Sequence, residues 1–231
     1  MNYSEYKEKE EKRLAIAIKL LEQGVNFVDI HTAYIDETVE IGKGTEIGPC
    51  VTISGNSKIG ENCVIMQNTR IKDSIIEDGV EIQSSVITES KVGEKTKVGP
   101  FAYLRPGSNI GKECKVGDFV EVKNATMGNG SKASHLTYIG DADVGRNVNI
   151  GCGVVFVNYD GSSKHRSTVE DNAFIGCNTN LVSPVTVEEG AYIAAGTTVT
   201  TTVPKDALCV GRARQRNIEG WAERKGLYRK K

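Results

Sequence analysis

Proline is scarce in this chain, with five in 231 residues, and aromatic residues make up only 6%. Against these stand 25 glycines, a balance that suits a fold with many tight turns and few large rings in its core. Histidine occurs three times, as His31, His135 and His165. A three-histidine zinc site would need all of them together, and His31 lies about 100 residues before the others, so no metal is expected. An excess of charge of either sign is also missing: 29 Lys and Arg face 30 Asp and Glu. Global charge therefore does not point to nucleic acid. No apolar run approaches the roughly 18 residues that would span a bilayer. The N-terminus, M-N-Y-S-E-Y-K-E-K-E-E-K-R, lacks the apolar core of a signal peptide. Six cysteines occur without C-x-x-C spacing, which argues against a zinc site and a disulfide framework. Free thiols without an export signal lead to the expectation of a cytoplasmic protein.

Residues 4–23 read as a helix, with Ser4 as N-cap, Leu14, Ile18 and Leu21 on one face, and Gly24 as the residue that ends it. From residue 35 a repeat begins. Ile35, Ile41, Ile47, Ile53, Ile59, Ile65 and Ile71 stand six apart. A small or β-branched residue sits two positions before each isoleucine from Ile41 onward: Val39, Thr45, Val51, Ser57, Cys63 and Thr69. The phase slips across 72–85 and resumes through Val86, Val92, Val98, Leu104, Ile110, Val116 and Val122. A last run is Val169, Ile175, Leu181, Val187, Ile193 and Val199.

A six-residue period with one branched apolar residue per repeat predicts a parallel β-helix. The branched residue points into the shaft and the small residue fits the corner before it; Cys63 and Cys114 are read as core residues on that ground. Three hexads close one triangular coil. About 25 hexads predict roughly eight coils, a prism on the order of 40 Å tall at about 4.8 Å per coil. The expected division is an N-terminal helix and linker (1–30), the repeat domain (31–203) and a basic C-terminal tail (204–231). Residues 212–231 hold eight basic and two acidic side chains, and Arg212, nearest the shaft, is the candidate to clamp an anion.

Two irregular spans stand out. Val122 to Val144 is four residues longer than three hexads, and Ile150 to Val169 is one longer. Extra residues in a solenoid leave as loops, and loops carry function. The first loop is expected to hold His135 and Tyr138; the second, Asn158, Tyr159 and Lys164. Arg105, Lys123 and Lys164 suit a phosphate, while Asn149, Asn158 and Tyr138 are neutral hydrogen-bonders suited to sugar hydroxyls. A neutral imidazole at His135 is a natural base for an amine nucleophile. The residues by themselves predict an anionic small molecule and a histidine-assisted transfer, and go no further.

The chain from about residue 5 onward carries, in order, G-P-F-A-Y-L-R-P-G, V-G-D-F-V-E-V-K-N-A, H-L-T-Y-I-G-D-A, N-V-N-I-G-C-G, N-Y-D-G-S-S-K-H, I-A-A-G-T-T-V-T and E-G-W. In these motifs it resembles the C-terminal acetyltransferase half of the bacterial bifunctional N-acetylglucosamine-1-phosphate uridyltransferase/glucosamine-1-phosphate acetyltransferase. The resemblance implies a left-handed parallel β-helix, a homotrimer with sites at subunit junctions, and acetyl-CoA-dependent N-acetylation of glucosamine 1-phosphate on the way to UDP-N-acetylglucosamine and peptidoglycan. It implies His135 as general base, Arg105 and Lys123 on the sugar phosphate, and Tyr138 and Asn149 on the sugar. Lys164 would reach bound anions across a subunit boundary. Cys152, Asn158, Tyr159, Cys177, Ala195 and Arg212 would line the acetyl-CoA site. The family's glycine-rich nucleotide loop has no counterpart here, so uridyl transfer is expected to be absent or left to a separate partner. Cys152 and Cys177 depart from the small Ala and Ser common in the family. Two alternatives stay open: an acetyltransferase for another amino-sugar phosphate, and a non-catalytic β-helix that binds sugar phosphates.

Overall fold

A chain with one inward residue every six cannot run straight, because each short strand must turn before the next inward residue is reached. The computed structural model, which describes residues 2–227, is a parallel β-helix with a 20-residue helix at its N-terminal end. Residues 228–231 of the expected basic tail lie outside the described residues. One face stacks eleven parallel strands, from Asn26–Phe27 to Leu208–Cys209. Eleven strands make ten coil-to-coil steps rather than eight coils, a shaft on the order of 50 Å. The stack is taller because pairing starts at Asn26 and ends at Cys209, beyond the hexads visible in the sequence.

The register is strict. Ile47, Ile65, Ile82, Val98, Val116, Ala133, Ile150, Ile175 and Ile193 follow one another up a single face, each 3% exposed or less. The small residues at the corners, Cys63 and Cys114 included, are buried as expected. Their polar atoms bond to backbone: the Thr45 hydroxyl donates to the Gly60 carbonyl at 2.8 Å and accepts from the Cys63 amide at 3.0 Å. That satisfies the buried hydroxyl of Thr45, while at the corresponding corner the buried Thr69 hydroxyl has no partner among the described residues.

The phase slip is one of shortened repeats. Ile71 and Ile76, Ile82 and Ile87, and Ile87 and Val92 are inward residues only five apart. The inward residue is therefore Ile87, fully buried, and not Val86, which is half-buried. A coil that loses one residue at a corner keeps its strands in register, so the face of Val86 is set by its neighbours above and below.

The helix α1 (Tyr3–Glu22) also departs from expectation. Its N-cap is Asn2, which exchanges two hydrogen bonds of 2.9 Å with Glu5 in a capping box, so Ser4 lies inside the first turn. Gly24, at φ +92°, ends it in a Schellman motif, with the Val25 amide reaching the Leu20 carbonyl. The buried face is Ala17 and Leu20 with Ile16, while Ile18 and Leu21 are exposed. Arg13 fixes that rotation by donating to the carbonyls of Ile30 and Ala33 at 3.1 and 2.9 Å. The helix thereby covers the open end of the first coil, as solenoid ends require. At the other end the chain leaves the stack after Cys209, and α2 (Trp221–Arg224) is a four-residue turn of helix.

The register makes a prediction. Ile87→Ala removes a fully buried side chain and is expected to destabilise the protein by about 2–5 kcal/mol. Val86→Ala is expected to change stability by less than about 1 kcal/mol. Urea denaturation of both variants checks this, and a larger effect at Val86 would overturn the register.

Candidate active site

Along one edge of the shaft each coil turns on a residue in the left-handed region, at Phe119, Leu136, Gly153, Asn178 and Gly196, with φ between +47° and +73°. The residue just before each of these is Asp118, His135, Cys152, Cys177 and Ala195. Each stands two positions past an inward residue of the stacked face, so the five form one column along the edge, about 4.8 Å apart. Arg212 joins its far end by donating to the Ala195 carbonyl at 2.9 Å. Four residues expected to share one ligand, Cys152, Cys177, Ala195 and Arg212, thus lie in a line running away from His135.

His135 ends the strand Lys132–His135 and is exposed. Its Nδ1 lies 2.6 Å from Asp118 Oδ1. The hydrogen bond from His135, followed by one from its own backbone, holds the Asp118 carboxyl below its usual range. An ionised carboxylate can only accept, so the shared proton sits on Nδ1 and leaves the Nε2 lone pair free. No loop carries this residue: Val122, Met127, Ala133, Ile139 and Val144 are all inward and buried. The irregular first span is four repeats, two of them one residue short.

A second cluster gathers on the next face. Arg105 and Lys123 follow the paired inward residues Leu104 and Val122, and Lys123 pairs in register with Gly140. Arg105 donates to Glu121 at 2.7 Å, which raises its pKa. Asp141, buried and left-handed at φ +49°, accepts from Asn124 at 2.6 Å and from Asn158, and lies 3.7 Å from Lys123 Nζ. Burial would raise its pKa, but those hydrogen bonds and the charges of Lys123 and Lys164 outweigh it and hold it low. Lys123, which stands beside Lys164 as a hydrogen-bond donor and a like charge, drives the Lys164 pKa below the ordinary lysine range. Two ammonium groups thus share one carboxylate, and a net positive charge faces solvent. Lys164 reaches this cluster within its own chain.

Tyr138 begins the strand Tyr138–Val144, three residues beyond His135 and round the corner from it. Its hydroxyl lies 3.4 Å from Asn158 Nδ2 and over Gly140, where an added Cβ would meet it at 2.3 Å. Glycine is needed there so that the phenol can lie across the strand. Asn149 is half-buried on the face of the stacked strands, paired in register with Lys132 and Phe174. The structure thus gathers Lys123, Tyr138, Asn158 and Lys164, and leaves Asn149 on another face. Among the described residues, the bonds that knit this cluster do not include His135.

The second irregular span is a loop, larger than expected. Coils here are 25 residues long, as in Ile150 to Ile175 and Phe156 to Leu181, seven more than a regular coil of 18. Phe156 takes the next inward place after Ile150, so the extra residues leave between Val157 and Ser167. The loop is built from its own polar groups. Asp160 accepts from the Ser162 and Ser163 amides and contacts His165 Nε2 at 2.7 Å, contacts that drive its pKa far down, with the His165 contact foremost. Tyr159, exposed, donates to the Gly161 carbonyl at 2.6 Å. Arg166 ties the loop to the shaft through Asp143 and the carbonyls of Asn124 and Ala142. Sequence reasoning missed Asp118, Glu121, Asp141 and Arg166. The signal for Asp118 was its spacing of 17 residues from His135, the length of one shortened coil. Among the described residues no group of three or more His, Cys, Asp or Glu is placed to share a metal ion. No described helix is long and apolar enough to cross a membrane.

Comparison with known proteins follows the same lines. Residues 30–105 match the family described as the GMPPB C-terminal domain, and residues 166–201 the bacterial transferase hexapeptide family of six repeats. The chain is 61% identical over 218 residues to the bifunctional protein GlmU of Alkaliphilus oremlandii (strain OhILAs), across 94% of this chain and 48% of that protein. It is 54% identical to the bifunctional protein GlmU of Alkaliphilus metalliredigens (strain QYMF), across 93% of this chain and 47% of that one. The chain therefore spans about half the length of the relatives it matches. The resemblance read from the motifs holds over nearly the whole chain, and the matched families fit the acetyltransferase half. Among solved structures, an Arabidopsis UDP-N-acetylglucosamine acyltransferase shares the fold, at 18% identity with a TM-score of 0.60, over 86% of this chain and 76% of that one.

The shared carboxylate makes a prediction about charge. Asp141 raises the Lys164 pKa while Lys123 lowers it. Asp141→Asn is therefore expected to move the Lys164 titration further down, as followed by NMR of the labelled lysine side chains. An upward move would show that Asp141 does not stabilise the pair of cations.

Proposed function

We propose that this chain transfers the acetyl group of acetyl-CoA to the amine of glucosamine 1-phosphate, giving N-acetylglucosamine 1-phosphate. The observation that carries the reading is the His135–Asp118 pair, standing in register at the head of the column of Cys152, Cys177, Ala195 and Arg212. That edge suits an extended thioester co-substrate with an anionic end at Arg212. Acetyl-CoA would supply an activated acyl group. The cluster of Lys123 and Lys164, with Arg105 beyond, suits the sugar phosphate, and Tyr138 suits its hydroxyls; Asn149, on the stacked face that carries His135, would meet the sugar from that side. Asn158 and Tyr159, on the inserted loop, are proposed to complete the acyl-donor site. Because, among the described residues, His135 is not bonded into the cation cluster of its own chain, a homotrimer with sites at subunit junctions is the assembly we favour. A soluble, cytoplasmic protein accords with this chemistry.

His135 acts through Nε2. It takes a proton from the amine as the nitrogen attacks the thioester carbonyl, and Asp118 stabilises the imidazolium that forms. The imidazolium then returns its proton to the departing thiolate. No covalent enzyme intermediate is needed, and the chain's contributions are positioning, deprotonation and electrostatic stabilisation.

The test is thiol release from acetyl-CoA with glucosamine 1-phosphate, glucosamine or UDP-glucosamine as acceptor. Release that depends on glucosamine 1-phosphate is expected. Release only with another amine would reassign the substrate, and release with none would favour a binding protein. His135→Ala is expected to lose about 10²–10⁴-fold in kcat. Asp118→Asn is also expected to be slower, because an amide can donate to Nδ1 and put the proton on Nε2. Turnover retained in His135→Ala would assign the base elsewhere.

A further inference from the structure

The edge column carries two thiols in succession. Cys152 is half-buried and Cys177 exposed, and both are free. The Cys152 carbonyl accepts from the Asn178 amide at 2.8 Å, and the Cys177 carbonyl from the Gly196 amide at 2.8 Å. With Ile150 paired to Ile175, these bonds place Cys152 and Cys177 at the same corner position of consecutive coils. Both precede a left-handed residue, so their side chains leave the same edge in the same sense. A coil spacing of about 4.8 Å lies inside the range of about 4.4–6.8 Å that Cα atoms span across a disulfide. Cys63 and Cys114, by contrast, are buried two positions before their inward residues, and burial pushes both thiols up in pKa. Cys50 lies more than five coils away on the exposed surface, and Cys209 stands at an inward place in the last strand.

We propose that Cys152 and Cys177 form a vicinal dithiol that undergoes exchange with small-molecule disulfides and closes to a disulfide between adjacent coils. Cys177, the more open of the two, attacks a disulfide R–S–S–R. A bond forms between Cys177 Sγ and one sulfur as the S–S bond breaks, and the leaving thiolate takes up the Cys177 proton. Cys152 then attacks Cys177 Sγ and releases the second thiol, which takes the Cys152 proton. Two protein thiols are oxidised and one disulfide is reduced to two thiols. The exchange stands on register alone. Its consequence, loss of acetyl transfer because the bridge occupies the donor column, rests on the proposed function. On that reading the disulfide form of coenzyme A is the favoured oxidant, since the sulfur end of coenzyme A would lie along the edge beside the two cysteines.

The experiment treats the full chain with CoA disulfide or glutathione disulfide at equal concentration, followed by alkylation and peptide mass mapping. A linked Cys152–Cys177 peptide pair is expected, reversed by dithiothreitol. Cys177→Ser should abolish the link, and Cys152→Ser should stop the reaction at a mixed disulfide on Cys177. Mixed disulfides at either thiol with no linked pair in the parent chain would overturn the proposal. Faster linkage by CoA disulfide than by glutathione disulfide is expected. Equal rates would remove the assignment of the column to the acyl donor while leaving the dithiol intact. Acetyl transfer, measured for each protein against its own reduced form, should fall at least tenfold in the linked parent and recover on reduction.

Discussion

Parallel, in-register stacking of short strands is the constraint on which the rest of this molecule depends. Each coil pairs with the next at the same positions, so inward residues build a continuous apolar column and outward residues build columns of function. A side chain two positions past an inward residue of one given face is always at the same edge. That geometry sets His135 above Asp118 and lines up Cys152, Cys177 and Ala195 beyond it. No single coil holds a site. A one-residue slip of one strand would break the His135–Asp118 contact as surely as a substitution would.

The scaffold tolerates irregularity where the stacking tolerates it. Losing one residue at a corner leaves the inward columns intact, as at Ile76, Ile87 and Met127. Adding seven residues between Val157 and Ser167 throws a loop out of the shaft without disturbing the pairing on either side. The loop then needs its own internal order, which Asp160 supplies, and a tether to the shaft, which Arg166 supplies. It returns Asn158 to the buried Asp141 and Lys164 to Lys123.

The electrostatics follow the same division. Asp141 is buried and pays its desolvation through two amide donors and a shared pair of lysines. Because one carboxylate cannot neutralise two ammonium groups, the cluster retains a positive charge suited to a phosphate. The His135–Asp118 pair is exposed, so its worth lies in fixing a tautomer rather than in stability.

By itself, the sequence determined the β-helix, because a six-residue period of branched residues has one physical solution, and it singled out His135, Lys123, Tyr138 and Lys164 through long motifs. It could not decide which of Val86 and Ile87 faces inward, nor that the span holding His135 is regular coil, since a count of residues cannot tell a shortened repeat from a loop. Nor could it supply Asp118 or Asp141, which lie 17 residues from the partners they hold. Only stacking decided those, because contacts between coils depend on the length of every coil between them, and coil length here varies from 16 residues between Ile71 and Ile87 to 25 between Ile150 and Ile175.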